Sequence, residues 1–187
     1  MTLVLILLFI FIVLATITIF LFFISMMQTV FFAKVPFVSV PVEVIKEIVK
    51  TLKLNEGSIV YDLGCGNARV LSIAQKIHPK AHFVGVELIW WAYMLAKLRI
   101  WKNRQNKNIK ILCKNFFQVN VSNATHVFLY LYPEAMDKLL PKLEKELKKG
   151  TRVVSATFKF SQKQYTEKID LHRDQNQLAR TLYVYEF

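Results

Sequence analysis

The sequence predicts an α/β fold: a seven-stranded, mostly parallel sheet with an antiparallel C-terminal hairpin, preceded by one transmembrane helix. Three observations predict it. From residue 58 onward, short β-branched runs alternate with stretches of helical period, the pattern of a parallel sheet covered by helices on both faces. The tail "YTEKIDLHRDQNQLARTLYVYEF" reads instead as two strands about a polar turn near Asp174 to Gln177. Charge is also segregated. All 25 Lys and Arg and all 13 Asp and Glu follow position 33, so the net charge of +12 belongs to residues 34–187.

The uncharged leader contains "TLVLILLFIFIVLATITIFLFFISMM", Thr2 to Met27. A helix of about 20 apolar residues crosses a bilayer core, so this run is long enough with some tilt. A cleaved signal would need a basic start, a shorter apolar core and a small-residue cleavage site, and the run has none of these. An uncleaved single-pass anchor is expected. Lys34, Lys46, Lys50 and Lys53 all follow the span, and by the positive-inside rule the rest of the chain is expected on the cytoplasmic side. The expected organisation is an anchor (1–33), a connector with a helix (34–56) and one domain of ordinary size (57–187).

In the connector, Pro36 and Pro41 push their preceding residues to extended backbone, and Pro41 can open a helix. Val44, Ile45, Ile48, Val49 and Leu52 then recur at helical spacing, with Lys46, Lys50 and Lys53 on another face. "NEGS" stops that helix and "SIVYDLG" reads as the first buried strand. A helix from about Ala68 to Ile77, a strand "HFVGVEL", a helix Trp90 to Lys102, and strands "IKILCK" and "THVFLYLY" follow. A helix Pro133 to Lys149 is stopped by Gly150, and "RVVSATFKF" is the fifth strand. On the Trp90 helix, Trp91, Leu95, Leu98 and Trp101 are expected in the core, with Lys97, Arg99, Lys102 and Arg104 on a solvated face.

Cys65 and Cys113 have no metal-like or redox spacing, and His78, His82, His126 and His172 are scattered, so no metal site is expected. The chemistry points to the first turn, "YDLGCGNA". In an open parallel sheet, ligands bind at the carboxyl ends of the strands, where the strand order reverses. Gly64 and Gly66 let a ligand approach the backbone, and Glu87 at the end of the next strand can take both hydroxyls of a ribose. A dinucleotide fingerprint would need a third glycine where Arg69 stands, and a P-loop would need a Gly-Lys-Ser/Thr. The site reads as one built for a nucleoside.

"DLGCGNA" followed by "VEL" resembles the S-adenosylmethionine site of the class I, seven-stranded methyltransferases, which share a Rossmann-like sheet. The resemblance implies that Asp62, Gly64, Cys65 and Gly66 line the methionine and sugar side, that Glu87 holds the ribose and that Leu88 touches the adenine. Asn115, where the family often has an aspartate, would accept from the adenine amino group. Ala68 stands where many members have a third glycine. Read with its flanks, "VPFVSVP", "YDLGCG", "GVE", "FLYLYPE" and "GTRVVSATFKF", the chain resembles a narrower family. That family holds bacterial membrane-anchored methyltransferases and the mitochondrial lysine methyltransferases of adenine nucleotide translocase and the ATP synthase c-subunit.

The implied reaction is methyl transfer to a lysine of a membrane protein. After the fourth strand the chain has "LYPE" in place of the Asp-Pro-Pro-Tyr motif of many amine methyltransferases, which makes Tyr132 and Glu134 the candidate catalytic residues. Alternatives are methylation of a lipid headgroup, a quinone-like molecule or RNA, or cofactor binding without catalysis. The charge of +12 is expected to face anionic lipid headgroups rather than nucleic acid. The helix near 42–53 is expected to run antiparallel to the first strand. That would put Pro36 to Pro41 at the site end of the sheet, nearer Gly66 than Asn176, with the anchor leaving on the same side.

Overall fold

The structure is a computed structural model and describes residues 2–32, 40–102, 108–171 and 179–187. Two units are distinguished, Met1–Pro36 and Phe37–Phe187. The first contains helix α1, Thr2–Phe32. Its segment Thr2–Met27 has a mean hydropathy of 3.3 over 26 residues, long and apolar enough to cross a membrane. Two of its hydroxyls bond within the helix: Thr16 donates to the Ile12 and Val13 carbonyls, and Thr18 to that of Leu14 at 2.7 Å.

The second unit contains α2 (Val42–Leu52), β1 (Ile59–Leu63), α3 (Arg69–Ile77), β2 (His82–Glu87), α4 (Trp90–Lys102) and β3 (Ile109–Cys113). A 3-10 turn (Phe116–Gln118), β4 (His126–Leu129), α5 (Pro133–Glu146), β5 (Arg152–Ala156), β6 (Glu167–Asp170) and β7 (Thr181–Glu186) complete it. The strands form one sheet in the order β3-β2-β1-β4-β5-β7-β6. β1 to β5 are parallel, and β7 runs antiparallel to both of its neighbours. The order reverses between β1 and β4, which fixes the ligand crevice above those two strands.

The strands are continuous apolar runs because both faces are covered. On one face Val44, Ile45, Ile48, Val49 and Leu52 of α2 pack with Leu71 and Ala74 of α3. On the other lie Met136, Leu139, Leu140 and Leu143 of α5. The helical period that predicted α2 therefore matches its buried face. Arg152, at the start of β5, donates to the Thr51 carbonyl at 2.8 Å and pairs with Glu167 and Glu186. It fastens the C-terminal end of α2 to the amino end of the sheet. Beside it, burial and the Arg152 charge push His126 down to about 4.

Several expectations change, among them the fourth strand, which stops at Leu129 rather than Tyr132. α4 does not bury its large residues. It packs through Ala92 and Ala96, with Tyr93 and Ile100 partly buried, while Leu95, Leu98 and Trp101 are exposed and Trp91 is half-buried. The two alanines let the helix sit close over the edge strand β3, and within Phe37–Phe187 no described element covers the rest. Strand five stops at Ala156 instead of Phe160, because Thr157 takes a left-handed φ of 69°. α5 ends at Glu146 rather than Lys149, and a 3-10 turn follows β3. The tail turn at Asp174 to Gln177, and the expected position of Pro36 to Ser39 relative to Asn176, fall outside the described residues.

Candidate active site

β1 delivers Asp62 to the carboxyl end of the sheet, and β2 delivers Glu87 beside it; both are buried. Gly64 turns the chain away at φ 86° and Gly66 at φ 53°. The Gly64 and Cys65 N–H groups both donate to the Val86 carbonyl, at 2.8 and 3.0 Å, which lays the turn against β2. The Glu87 carboxylate accepts from the Gly66 N–H through Oε2 and from the Ile89 N–H through Oε1, each at 2.8 Å. Glu87 therefore holds the glycine turn and the entry to α4 together, and each oxygen keeps a lone pair for a further donor.

A Cβ at Gly64 would meet Leu131 Cδ2 at 3.1 Å. Glycine is required there by its backbone conformation and by Leu131, before any ligand is considered. Ala68, at φ 55° and fully buried, occupies a left-handed position before α3 at a cost of about 1 kcal/mol. That conformation is a physical reason for glycine at this position in similar turns.

The Cys65 thiol turns inward. Its Sγ is one of three atoms, with Ile111 Cδ1 and Leu71 Cδ1, that a Cβ at Gly85 would meet, at 2.7, 2.6 and 2.9 Å. Burial pushes the thiol pKa up, helped by the Asp62 and Glu87 charges. Only the main chain of Cys65 is left to face a ligand. Burial, and then the neighbouring Glu87 charge, push the Asp62 carboxyl up to about 8.

The remaining expected residues frame the same end. Leu88 is 60% exposed, an apolar side chain beside Glu87. Asn115 caps the 3-10 turn, its Oδ1 accepting from the Phe117 N–H at 3.0 Å, which leaves that oxygen one lone pair and its amide two donors. Tyr132 is half-buried on the α5 side at the start of α5. Glu134 is exposed and pairs with Lys138 at 2.8 Å, one turn along the helix.

Four residues of the site were not anticipated. Gly85 makes room for Cys65; a glycine inside "FVGVE" was the available signal. Arg99 of α4 donates from Nε to the Asn67 carbonyl at 2.9 Å and braces the glycine turn, although it was expected on a solvated face. Tyr130, just past β4, is partly buried on the α2–α3 side. Burial raises its phenol pKa and the adjacent Thr157 hydroxyl pulls it part-way back. The two groups are adjacent without being aligned, since the buried Thr157 Oγ1 has no hydrogen-bond partner. A strained, β-branched residue with an orphaned hydroxyl is unusual away from functional sites.

These residues suit a nucleoside carrying positive charge: two buried carboxyls side by side, with an exposed leucine and an amide alongside. The family model for the ANTKMT methyltransferase domain matches residues 62–167, from the acid of β1 to the start of β6. The chain belongs to this family. It is an S-adenosylmethionine-dependent methyltransferase with the class I fold. A protein-lysine N-methyltransferase of Saccharolobus islandicus is 36% identical over 151 residues, 81% of this chain and 92% of that protein. The human lysine N-methyltransferase of the ATP synthase c-subunit is 32% identical over 125 residues, 67% of this chain; the match spans about half of the human protein, 52%. The crystal structure of an RNA methyltransferase from Salinibacter ruber, in complex with S-adenosyl-L-homocysteine, superposes with a TM-score of 0.73 at 28% identity. The match covers 80% of this chain and 93% of that one.

Proposed function

We propose that the chain is a bilayer-anchored protein-lysine N-methyltransferase whose acceptor lysine belongs to a membrane protein and lies near the cytoplasmic surface. One observation carries the reading: the Saccharolobus lysine methyltransferase is matched over 92% of its length by a chain that has the apolar segment Thr2–Met27. Glu87 takes the ribose hydroxyls on the lone pairs left by Gly66 and Ile89, and ionised Asp62 faces the ammonium of the methionine moiety. Leu88 and Asn115 flank the adenine. S-Adenosylmethionine supplies an electrophilic methyl group to an in-line nucleophile.

The protein's part is alignment and desolvation. A lysine amine has a free pKa of about 10.4 and must arrive neutral. Tyr130, Tyr132 and Thr157 follow the carboxyl ends of β4 and β5 and would offer hydroxyl oxygens, in a partly buried setting, to an acceptor bound there. Desolvation there lowers the amine pKa. The Tyr130 phenol, itself pushed up, stays protonated and acts as a hydrogen-bonding group rather than a base. Glu134 is held by Lys138, so Tyr132 is the better of the two catalytic candidates.

The test is to incubate native membranes with the full chain and S-adenosylmethionine labelled on its methyl group. The label is expected in one integral membrane protein, on lysine Nζ by mass spectrometry. A second reading, RNA methylation, is favoured by the likeness to the Salinibacter structure. Label in RNA or in lipid would replace the proposal.

A further inference from the structure

The outer face of α4 is apolar. Trp90, Met94, Leu98 and Trp101 form a stripe along it with Leu95 beside them, and the two tryptophans are 66% and 76% exposed. The inner face is apolar as well, through Ala92, Ala96 and Ile100. A helix apolar on both sides is normally buried on both. Soluble surfaces seldom leave a continuous stripe of this kind without a binding role. Two features select the occupant. Tryptophans at both ends of the stripe are side chains enriched at the headgroup level of bilayers. Exposed Lys97 and Lys102 flank the stripe on its two edges, and the chain carries a net charge of +12, which complements anionic lipid.

A bilayer is also within reach. Residues 33–41, which join α1 to α2, extend to at most about 32 Å, a span comparable to a small domain.

We propose that the outer face of α4 is a docking surface for an anionic bilayer. Its aromatic and aliphatic stripe enters the headgroup layer, and Lys97 and Lys102 meet lipid phosphates. Docking through α4 adds a second contact to the single-pass anchor. Because α4 begins three residues past Glu87, docking would also hold the cofactor end of the sheet near the membrane surface. The inference rests on the proposed placement at a bilayer and is independent of which acceptor is methylated.

All three tryptophans of the sequence, Trp90, Trp91 and Trp101, lie on α4, so intrinsic fluorescence reports this helix alone. The full chain is reconstituted in nanodiscs containing phosphatidylglycerol and a spin label at headgroup depth. Emission is expected to shift to the blue and to be quenched about twofold or more, as for side chains seated at the interface. Phosphatidylcholine nanodiscs should quench less. Leu98→Glu with Trp101→Glu should abolish quenching of the remaining tryptophans. Lys97→Glu with Lys102→Glu, on the surface and harmless to packing, should remove the preference for anionic lipid.

A chain that floats with the nanodiscs but shows unquenched tryptophan overturns the inference. So does a lipid-free chain whose tryptophans become protected on dimerisation, which would make a second copy the occupant. Quenching by added RNA without lipid would transfer the surface to nucleic acid. Failure to float overturns the anchor reading and this inference together, whereas a soluble or RNA acceptor overturns only the proposed substrate.

Discussion

Asp62 carries the sharpest consequence at the scale of single residues. Its folded-state pKa near 8 lies above its ordinary value of 3.8, so between those values the folded protein holds a proton that the unfolded chain has released. Its contribution to stability therefore falls as pH rises through that window. His126 works the other way: buried and neutral, with its pKa lowered from 6.5 to about 4, it makes stability rise with pH over that interval. The two oppose each other up to pH 6.5, and only Asp62 acts from there to 8. Cofactor-free stability should decline between pH 6.5 and 8, and Asp62→Asn should flatten the decline, as followed by denaturant unfolding. The same substitution should weaken S-adenosylmethionine binding, because a cationic ligand favours the ionised carboxylate. Binding by the unmodified protein near pH 7 should release a proton, visible as buffer-dependent heat in calorimetry. Binding without proton release would place the ammonium elsewhere. Glu87 allows a second test. Glu87→Ala should cost about 1.5–3 kcal/mol of cofactor binding, the range of charge-assisted hydrogen bonds. Glu87→Gln should recover little of it, since its amide would set N–H donors against the Gly66 or Ile89 N–H. Full recovery by Gln would mean that the charge does no work.

Among elements, the glycine turn depends on what packs behind it. Gly85 is matched to the Cys65 sulfur, so Gly85→Ala overpacks the space between β2, β3 and α3 and should destabilise the domain by about 1–3 kcal/mol. Adding Cys65→Ala removes the atom at 2.7 Å and should restore part of the loss, measured as a double-mutant cycle in urea. Strict additivity would mean that the two sites do not touch. The same contrast shows what the sequence made legible. α2 was readable because its apolar residues occupy one face only. The strand–turn–strand unit was readable because Asp62, Gly64, Gly66 and Glu87 fall at the positions that the sheet's carboxyl end requires. The rotation of α4 was not, because a helix apolar all round has no face that announces itself, and two alanines outcompeted larger residues for the close approach to β3. Nor was the end of β5: "RVVSATFKF" reads as an unbroken strand, and nothing in a threonine announces a φ of 69°. The inward turn of the Cys65 side chain was not legible either, because it depends on the space that Gly85 leaves on the neighbouring strand.

At the scale of the whole molecule, the apolar segment and Phe37–Phe187 are separate units, so the contribution of each can be measured by itself. The Salinibacter structure, which carries S-adenosyl-L-homocysteine, is matched over 93% of its length by 80% of this chain. The residues proposed to hold the cofactor, Asp62 to Gly66, Glu87, Leu88 and Asn115, also all lie within Phe37–Phe187. Removing residues 1–33 should therefore leave S-adenosylmethionine affinity unchanged by calorimetry. Transfer to a bilayer-embedded acceptor should behave differently. A membrane tether turns encounter with a neighbouring substrate into a nearly intramolecular event, with an effective concentration in the mM range when the linker spans the sites. At nanomolar enzyme, loss of that confinement should lower the transfer rate by on the order of 10²–10⁴-fold. Transfer to a detergent-solubilised acceptor, where confinement no longer helps, should fall far less. The comparison requires full-length and shortened chains on the same acceptor in nanodiscs and in detergent, with label incorporation read at several enzyme concentrations. Equal rates for both chains in nanodiscs would mean that the segment does not deliver the domain to its substrate, and the acceptor would then have to be sought among soluble proteins or RNA.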